Sequence, residues 1–344
     1  MIQQHGGNIG QLSNIHDFSA NINPLGAPES VKKAVAETVC DIEKYPDPYC
    51  TELRDRLGKH ERISAENIVC GNGADDLIFR IVHAFRPERA LICAPAFSEY
   101  SRALSETGCE IQEHILDEQL DFELDESILT KLDRSLDMCF ICTPNNPTGR
   151  LIAPEILAKI SVKCLENSII LVCDECFMGF VEDSENYSLR QFLNEKCIIL
   201  KAFTKLFAMA GIRLGYAVCG SSEIALKIQQ SGQFWSVSAL AQTAGIAALD
   251  ETEYVNKTVR YITEERRFLA AGLAKIGVKV YDGAANFLMF RSRIELAEEL
   301  LAEGILIRDC ANFSGLTEGF YRVAVRTHDE NIRLINAVRR CLNG

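Results

Sequence analysis

The sequence predicts an α/β protein: a large domain with a mostly parallel central sheet flanked by helices, plus a smaller α+β domain. Three observations predict it. Short β-rich runs alternate with amphipathic stretches from about residue 65 to 220, as strand–helix–strand units do. Polar clusters follow several of those runs, where parallel sheets bind ligands. Beyond about residue 240 the texture changes to a long helical stretch and then short strands. At 344 residues and 47% hydrophobic content, the chain has ample apolar surface for this core.

Taken in order, residues 1–40 read as an N-terminal arm with one helix, ESVKKAVAETV, and little core of their own, so they are expected to pack with the small domain. Residues 41–240 form the large domain. Its strands are NIVCG, ALICA, MCFICTP, SIILVCDE, CIILKAF and GYAVCG, and its helices include DDLIFRIVHAF and APEILAKISVKCL. Residues 241–344 form the small domain with its linking helix. That helix is expected from Ala239 to Ile276, followed by strands VKVYDG, NFLMFRS, GILIRDC and FYRVAVR around the helix IELAEELLAEG. Polar residues cluster at the ends of the large-domain strands: GNGADD after NIVC, TPNNPTG after MCFIC, and Asp174-Glu175 after IILVC. These ends place the active site.

The formal net charge is −12, which disfavours nucleic acid and anionic membranes as partners. An anionic small substrate remains compatible, because a few arginines focused in a pocket outweigh a distant surface charge. The first residues lack the basic and apolar regions of a secretory signal, and no apolar run approaches the roughly 20 residues of a membrane helix. A cytoplasmic protein is expected. The 14 cysteines suit buried reduced thiols better than a disulfide framework. Cys139–Cys142 and Cys173–Cys176 have CxxC spacing, but i and i+3 on a strand face opposite ways. No metal site is expected.

The block Lys201–Tyr216, KAFTKLFAMAGIRLGY, resembles the lysine segment of fold-type I pyridoxal-5′-phosphate (PLP) enzymes, and the histidinol-phosphate aminotransferase group in particular. The resemblance covers essentially the whole chain and implies the PLP-dependent transferase fold. It makes Lys205 the catalytic lysine that holds the cofactor, with Thr204 and Arg213 on the cofactor phosphate. A second hydroxyl usual in this pattern is replaced by Ala202. Gly73, Ala74 and Asp75 of GNGADD would open a helix whose free N–H groups hold the phosphate. Asn146 of TPNNPTG would bond the cofactor's phenolic oxygen, and Asp174 would pair with its pyridine nitrogen. Phe97 in APAFSEY stands where the family stacks an aromatic on the ring. Phe177 stands where a tyrosine often bonds the phenolic oxygen. Tyr45 in KYPDPY is similar to the tyrosine that reaches a neighbouring subunit's cofactor, which implies a homodimer with shared sites.

Arg322 in FYRVAVR occupies the position that binds the substrate α-carboxylate, a geometry suited to a bidentate guanidinium. Arg308 in GILIRDC occupies the position that takes a substrate phosphate. HGGNIG and DFSANINPLG together resemble the threonine-phosphate decarboxylases, which make aminopropanol phosphate for the cobalamin side chain. The aminotransferase group tends instead to an NxNENPxG-like segment. That resemblance implies that His5, Gly6, Asn21, Asn146, Arg308 and Arg322 hold O-phospho-L-threonine. The alternative is a histidinol-phosphate or related amino-acid aminotransferase. A catalytically inert PLP-fold binder would have little reason to keep Lys205, Asp174, Arg213 and Arg322 together.

Overall fold

The computed structural model describes residues 6, 7, 10 and 14–343. A short strand β1 (His16–Asp17) follows the arm. The large sheet is built from β2 (Ile68–Gly71), β3 (Arg89–Ala94), β4 (Glu110–Ile115), β5 (Met138–Cys142), β6 (Ile170–Asp174), β7 (Cys197–Ala202) and β8 (Gly215–Cys219). Their order is β2-β8-β7-β6-β5-β3-β4. Only β8 runs against its neighbours, so β2, β3, β5, β6 and β7 all end on one edge.

Both faces of this sheet are buried, as parallel sheets require. Along β5, Cys139 and Ile141 enter one apolar cluster while Met138 and Phe140 enter the other. The covering helices are α1 (Glu29–Thr38), α2 (Thr51–Glu61), α3 (Gly73–Phe85), α4 (Ser98–Glu106), α5 (Pro154–Glu166), the one-turn α6 (Phe203–Leu206), α7 (Ser222–Gln230) and α8 (Ala239–Leu249). Helix α1 packs on α8.

The expected single helix over Ala239–Ile276 is two helices. Helix α8 stops at Leu249, and α9 (Thr252–Lys275) starts after Asp250 and Glu251. Helix α8 has apolar residues all round, whereas α9 buries one stripe, so the two pack in different surroundings. A second sheet contains β9 (Lys279–Tyr281), β10 (Phe287–Arg291), β12 (Arg308–Asp309) and β13 (Phe320–Ala324), in the order β12-β13-β10-β9. The run GILIRDC divides at Ile307. Its first half is β11 (Ile305–Leu306), which pairs with β1 in the arm, and its second half is β12. Helices α10 (Ala297–Ala302) and α11 (His328–Asn343) complete the chain. Phe18 from the arm and Phe177 from the large sheet's edge both join the core of this second sheet.

All fourteen cysteines are free thiols. No helix among the described residues is long and apolar enough to cross a membrane.

Candidate active site

Strand β7 ends at Ala202, and Lys205 sits on the single turn that follows. Two lysines lie close in sequence here, and their surroundings separate them. The Lys201 ammonium pairs with the buried Glu61 carboxylate at 3.0 Å, and the Tyr216 hydroxyl donates to the same carboxylate at 2.6 Å. Burial opposes its charge, yet Glu61 and Glu175 hold the Lys201 pKa above the ordinary lysine value. Lys205 has no such carboxylate pair. Burial first, then the guanidiniums of Arg322 and Arg213, push its pKa down to about 8. Lys201 is a paired cation, whereas Lys205 gives up its proton more readily than an ordinary lysine.

The turn after β2 brings a helix start and a guanidinium together, a set that could hold an anion. Gly73 begins α3 at φ +87°, a conformation in which a side chain is strained. A Cβ there would also lie 2.8 Å from Arg213 Nη2, so the absent side chain admits the guanidinium. The Asn72 side chain makes no cap hydrogen bond to the helix start, whose first turn is Gly73, Ala74 and Asp75. Gly215 lets β8 pass close by, since a Cβ there would meet the Ala74 nitrogen at 2.5 Å. Arg213 is exposed and held at φ +63°. Thr204 is buried in the turn with Lys205.

Asp174 ends β6. Its carboxylate accepts from the Tyr100 hydroxyl at 2.6 Å and from the Cys176 N–H at 2.9 Å. Burial and the Asp174 charge push the Tyr100 phenol well above its usual range, so it remains a donor. Tyr100 stacks on Phe140 at 5.0 Å and meets Phe97 edge-on at 5.8 Å. Tyr100 is a site residue that sequence reasoning missed. The usable signal was its place in the first turn of the helix that Phe97 precedes. Phe177 packs edge-on against Phe287 at 5.0 Å and offers no hydrogen bond.

The opposite wall comes from the second sheet and the arm. Arg322 is buried, and its guanidinium donates to Asn146 Oδ1 and, at 2.8 Å, to the Ser19 carbonyl. Burial pushes its pKa down to about 10. Arg308 is paired with Arg322 across β12 and β13. It donates to the Asp309 carbonyl and, at 2.7 Å, to Asn312 Oδ1, and it lies over the Phe313 ring. Asn312 is a second residue the sequence did not single out. The Asn286 side chain donates to the Asn21 carbonyl at 3.0 Å. Asn21 Oδ1, Asn286 Oδ1 and Arg322 Nε are buried without hydrogen-bond partners, a cost of about 1–3 kcal/mol each unless a ligand supplies them.

Gly6 lies against the Ser19 carbonyl, where a Cβ would come within 2.0 Å, and the Gly7 N–H donates to Ser19 Oγ at 2.9 Å. The glycines thus bring the arm onto the segment that carries Asn21. His5 lies outside the described residues. Tyr45 stands apart, 81% exposed and stacked on Trp235 at 4.8 Å, with Tyr49 and Phe234 beside them. No group of three or more His, Cys, Asp or Glu converges as metal ligands do among the described residues.

The family model for class I and II aminotransferases matches residues 13–338. The threonine-phosphate decarboxylase of Salmonella typhimurium is 39% identical, over 99% of this chain and 97% of its own. Among solved structures, the histidinol-phosphate aminotransferase of Clostridium acetobutylicum superposes with a TM-score of 0.88 at 31% identity, covering 95% of this chain and 98% of that one. The L-threonine-O-3-phosphate decarboxylase of Porphyromonas gingivalis superposes with a TM-score of 0.84 at 25% identity, covering 95% and 99%.

Proposed function

The chain belongs to the class I and II aminotransferase family, and on that premise we propose that it decarboxylates O-phospho-L-threonine to (R)-1-amino-2-propanol phosphate, the amino alcohol of the cobalamin side chain. The observation that carries this reading is the cross-strand pair Arg308 and Arg322. Two buried guanidiniums suit a substrate with two anions, a phosphate at one end and a carboxylate at the other. The 39% identity to a decarboxylase of that substrate supports the same reading. Histidinol phosphate carries one anionic group, but the glutamate that the alternative aminotransferase also binds carries two, so the arginine pair supports a doubly anionic ligand and the identity to a decarboxylase favours phosphothreonine.

The cofactor of this reading is pyridoxal 5′-phosphate, and the residues present fit it. The Gly73–Arg213 cradle would take its phosphate, with Ala74, Asp75 and Thr204 beside it. Asp174 would meet the pyridine nitrogen, Asn146 the phenolic oxygen, and Phe97 the ring face. Lys205, with its amine held near neutrality, would form the covalent link. When bound, pyridoxal phosphate supplies the electron sink that takes up the pair released as CO₂ departs.

The chain's own residues then set the outcome. Arg322 would hold the carboxylate, and Arg308, with His5, Gly6 and Asn21, the phosphate. Fixing both ends fixes rotation about the substrate's Cα–N bond and so chooses which bond at Cα breaks. The Cα–carboxylate bond would be the one to break, and Lys205, protonated at Nζ below its pKa of about 8, would be placed to return a proton to Cα. An aminotransferase with the same parts would aim the Cα–H bond instead.

The reading also includes a homodimer with shared sites and a cytoplasmic location. The exposed aromatic cluster of Tyr45, Tyr49, Phe234 and Trp235 supports the dimer, since such patches mark association surfaces. Free thiols support a reducing compartment. The test is incubation with O-phospho-L-threonine while CO₂ and keto acid are measured together. Stoichiometric CO₂ without keto acid is expected. No CO₂ from phosphothreonine, with glutamate formed from histidinol phosphate and 2-oxoglutarate, replaces this reading with the aminotransferase.

A further inference from the structure

Asn23 is 2% exposed and lies two residues beyond Asn21 on the arm. Its hydrogen bonds converge on the turn that carries Lys205. Its backbone N–H donates to the Lys205 carbonyl at 3.1 Å. Its side-chain amide faces three oxygens: the Leu206 carbonyl at 2.7 Å, Tyr254 Oη at 2.8 Å and Thr258 Oγ1 at 2.9 Å. The Tyr254 hydroxyl in turn donates to the Gly26 carbonyl at 2.6 Å. Helix α6 is four residues long; its Phe203, Thr204 and Lys205 carbonyls accept from the N–H groups of Phe207, Met209 and Ala208, whereas the Leu206 carbonyl takes side-chain donors, the Asn23 amide and the Tyr254 hydroxyl.

We propose that Asn23 is the positioning residue for Lys205. It ties the two consecutive carbonyls at the lysine, its own and that of Leu206, to α9 and to the arm segment that carries Asn21. Outside the turn's own backbone, three hydrogen bonds thus hold its carbonyls: the two from Asn23 and one from the Tyr254 hydroxyl to the Leu206 carbonyl at 3.3 Å. The same short segment ends at a substrate-side residue, Asn21, whose Oδ1 is buried without a partner. This assignment rests on the reading that Lys205 carries the cofactor. Tight placement matters because a displacement of about 1 Å at a reacting group costs on the order of 100-fold in rate.

The experiment compares the full-length wild type with Asn23→Ala. Three readouts are taken: steady-state kinetics on phosphothreonine, the pH profile of pyridoxal phosphate capture by the cofactor-free protein, and thermal stability. Capture is followed by its visible absorption band. The groups that act on the Lys205 amine are Arg322, Arg213, Asp174 and Cys176, and the substitution alters none of them. Asn23→Ala keeps the backbone bond to the Lys205 carbonyl and removes the side-chain ties to Leu206, Tyr254 and Thr258; it is expected to lower kcat about 10- to 100-fold with little change in KM, and to move the capture profile to higher pH as water reaches the loosened turn. A loss of thermal stability with kcat and capture profile as in wild type overturns the proposal. Should Asn23→Ala fail to fold, Tyr254→Phe carries the test. It removes one acceptor of the Asn23 amide and the tyrosine's own bond to the Leu206 carbonyl while keeping the Asn23–Leu206 bond, so a several-fold fall in kcat with the same alkaline shift is expected; wild-type kcat together with a wild-type capture profile overturns the proposal. A wild-type band that survives Lys205→Ala would instead sink the cofactor reading itself, an outcome distinct from these.

Discussion

Arg308 and Arg322 lie directly opposite each other across the antiparallel pair β12–β13, and both are buried, at 3% and 6% exposure. Like charges in that position are ordinarily destabilising. Arg322 meets neutral partners, Asn146 and the Ser19 carbonyl, and the face of Phe287. Burial lowers its pKa first, and the neighbouring Arg308 adds to that effect. The arrangement makes sense as a receptor for two anions held a fixed distance apart. Arg308→Ala should therefore weaken phosphothreonine binding by roughly 2–5 kcal/mol, the cost of stranding a desolvated charge, and leave cofactor affinity nearly unchanged. It should also raise keto acid relative to CO₂, because the phosphate no longer sets the rotation at Cα. Titration calorimetry and product analysis check both.

The Lys205 amine predicts a pH signature in the cofactor-free protein. Its pKa falls from 10.5 to about 8 on folding, through burial first and then the nearby arginines. Below about pH 8 the amine is protonated in both folded and unfolded chains, and burying that charge costs stability. Between there and 10.5 the unfolded chain keeps a proton that the folded chain has lost, so stability rises with pH. Lys205→Met should raise the Tm at pH 7, and the gain should fade by about pH 10. Thermal melts of both proteins across that range test the sign; a gain that grows with pH contradicts the buried amine.

Tyr100→Phe removes the 2.6 Å donor to Asp174 while keeping the stack on Phe140. The Asp174 carboxylate then keeps the Cys176 backbone N–H. A hydrogen bond to a charged group contributes about 1.5–3 kcal/mol. Cofactor affinity is expected to fall by about tenfold or more on this account, with folding largely retained. Equilibrium dialysis of pyridoxal phosphate measures it, and unchanged affinity would detach Tyr100 from the site.

Among the described residues Tyr45 stacks on the Trp235 ring, and it resembles a cofactor-phosphate ligand of the neighbouring subunit. Tyr45→Phe should loosen the cofactor by about 1 kcal/mol, one hydrogen bond. Sedimentation should find a dimer. A fully active monomer would contradict the shared site.

The strands of the large sheet were legible because both its faces are buried, so each strand is a continuous apolar run such as MCFIC. The exception is β4, Glu110–Ile115, whose EIQEHI is largely polar. It pairs only with β3, at the edge, and an edge strand needs no apolar run. The break at Asp250-Glu251 was invisible because helical periodicity continues on both sides of it. The division of GILIRDC at Ile307 was equally hidden, since period-two alternation does not reveal that β11 and β12 pair with different partners.

The sequence by itself determined the residue types and their order: a lysine after a strand, an aspartate at a buried strand's end, and an arginine eight residues beyond the lysine. These are local facts, carried by turns and strand termini within a few residues of each group. Only the tertiary structure decided which lysine is free, because Glu61 lies 140 residues from Lys201 and reaches it through packing. It likewise opposed Arg308 to Arg322, set Tyr100 on Asp174 and clasped the Lys205 turn with Asn23. Each of these depends on contacts between distant segments, and their geometry comes from how the sheets and helices close around one core.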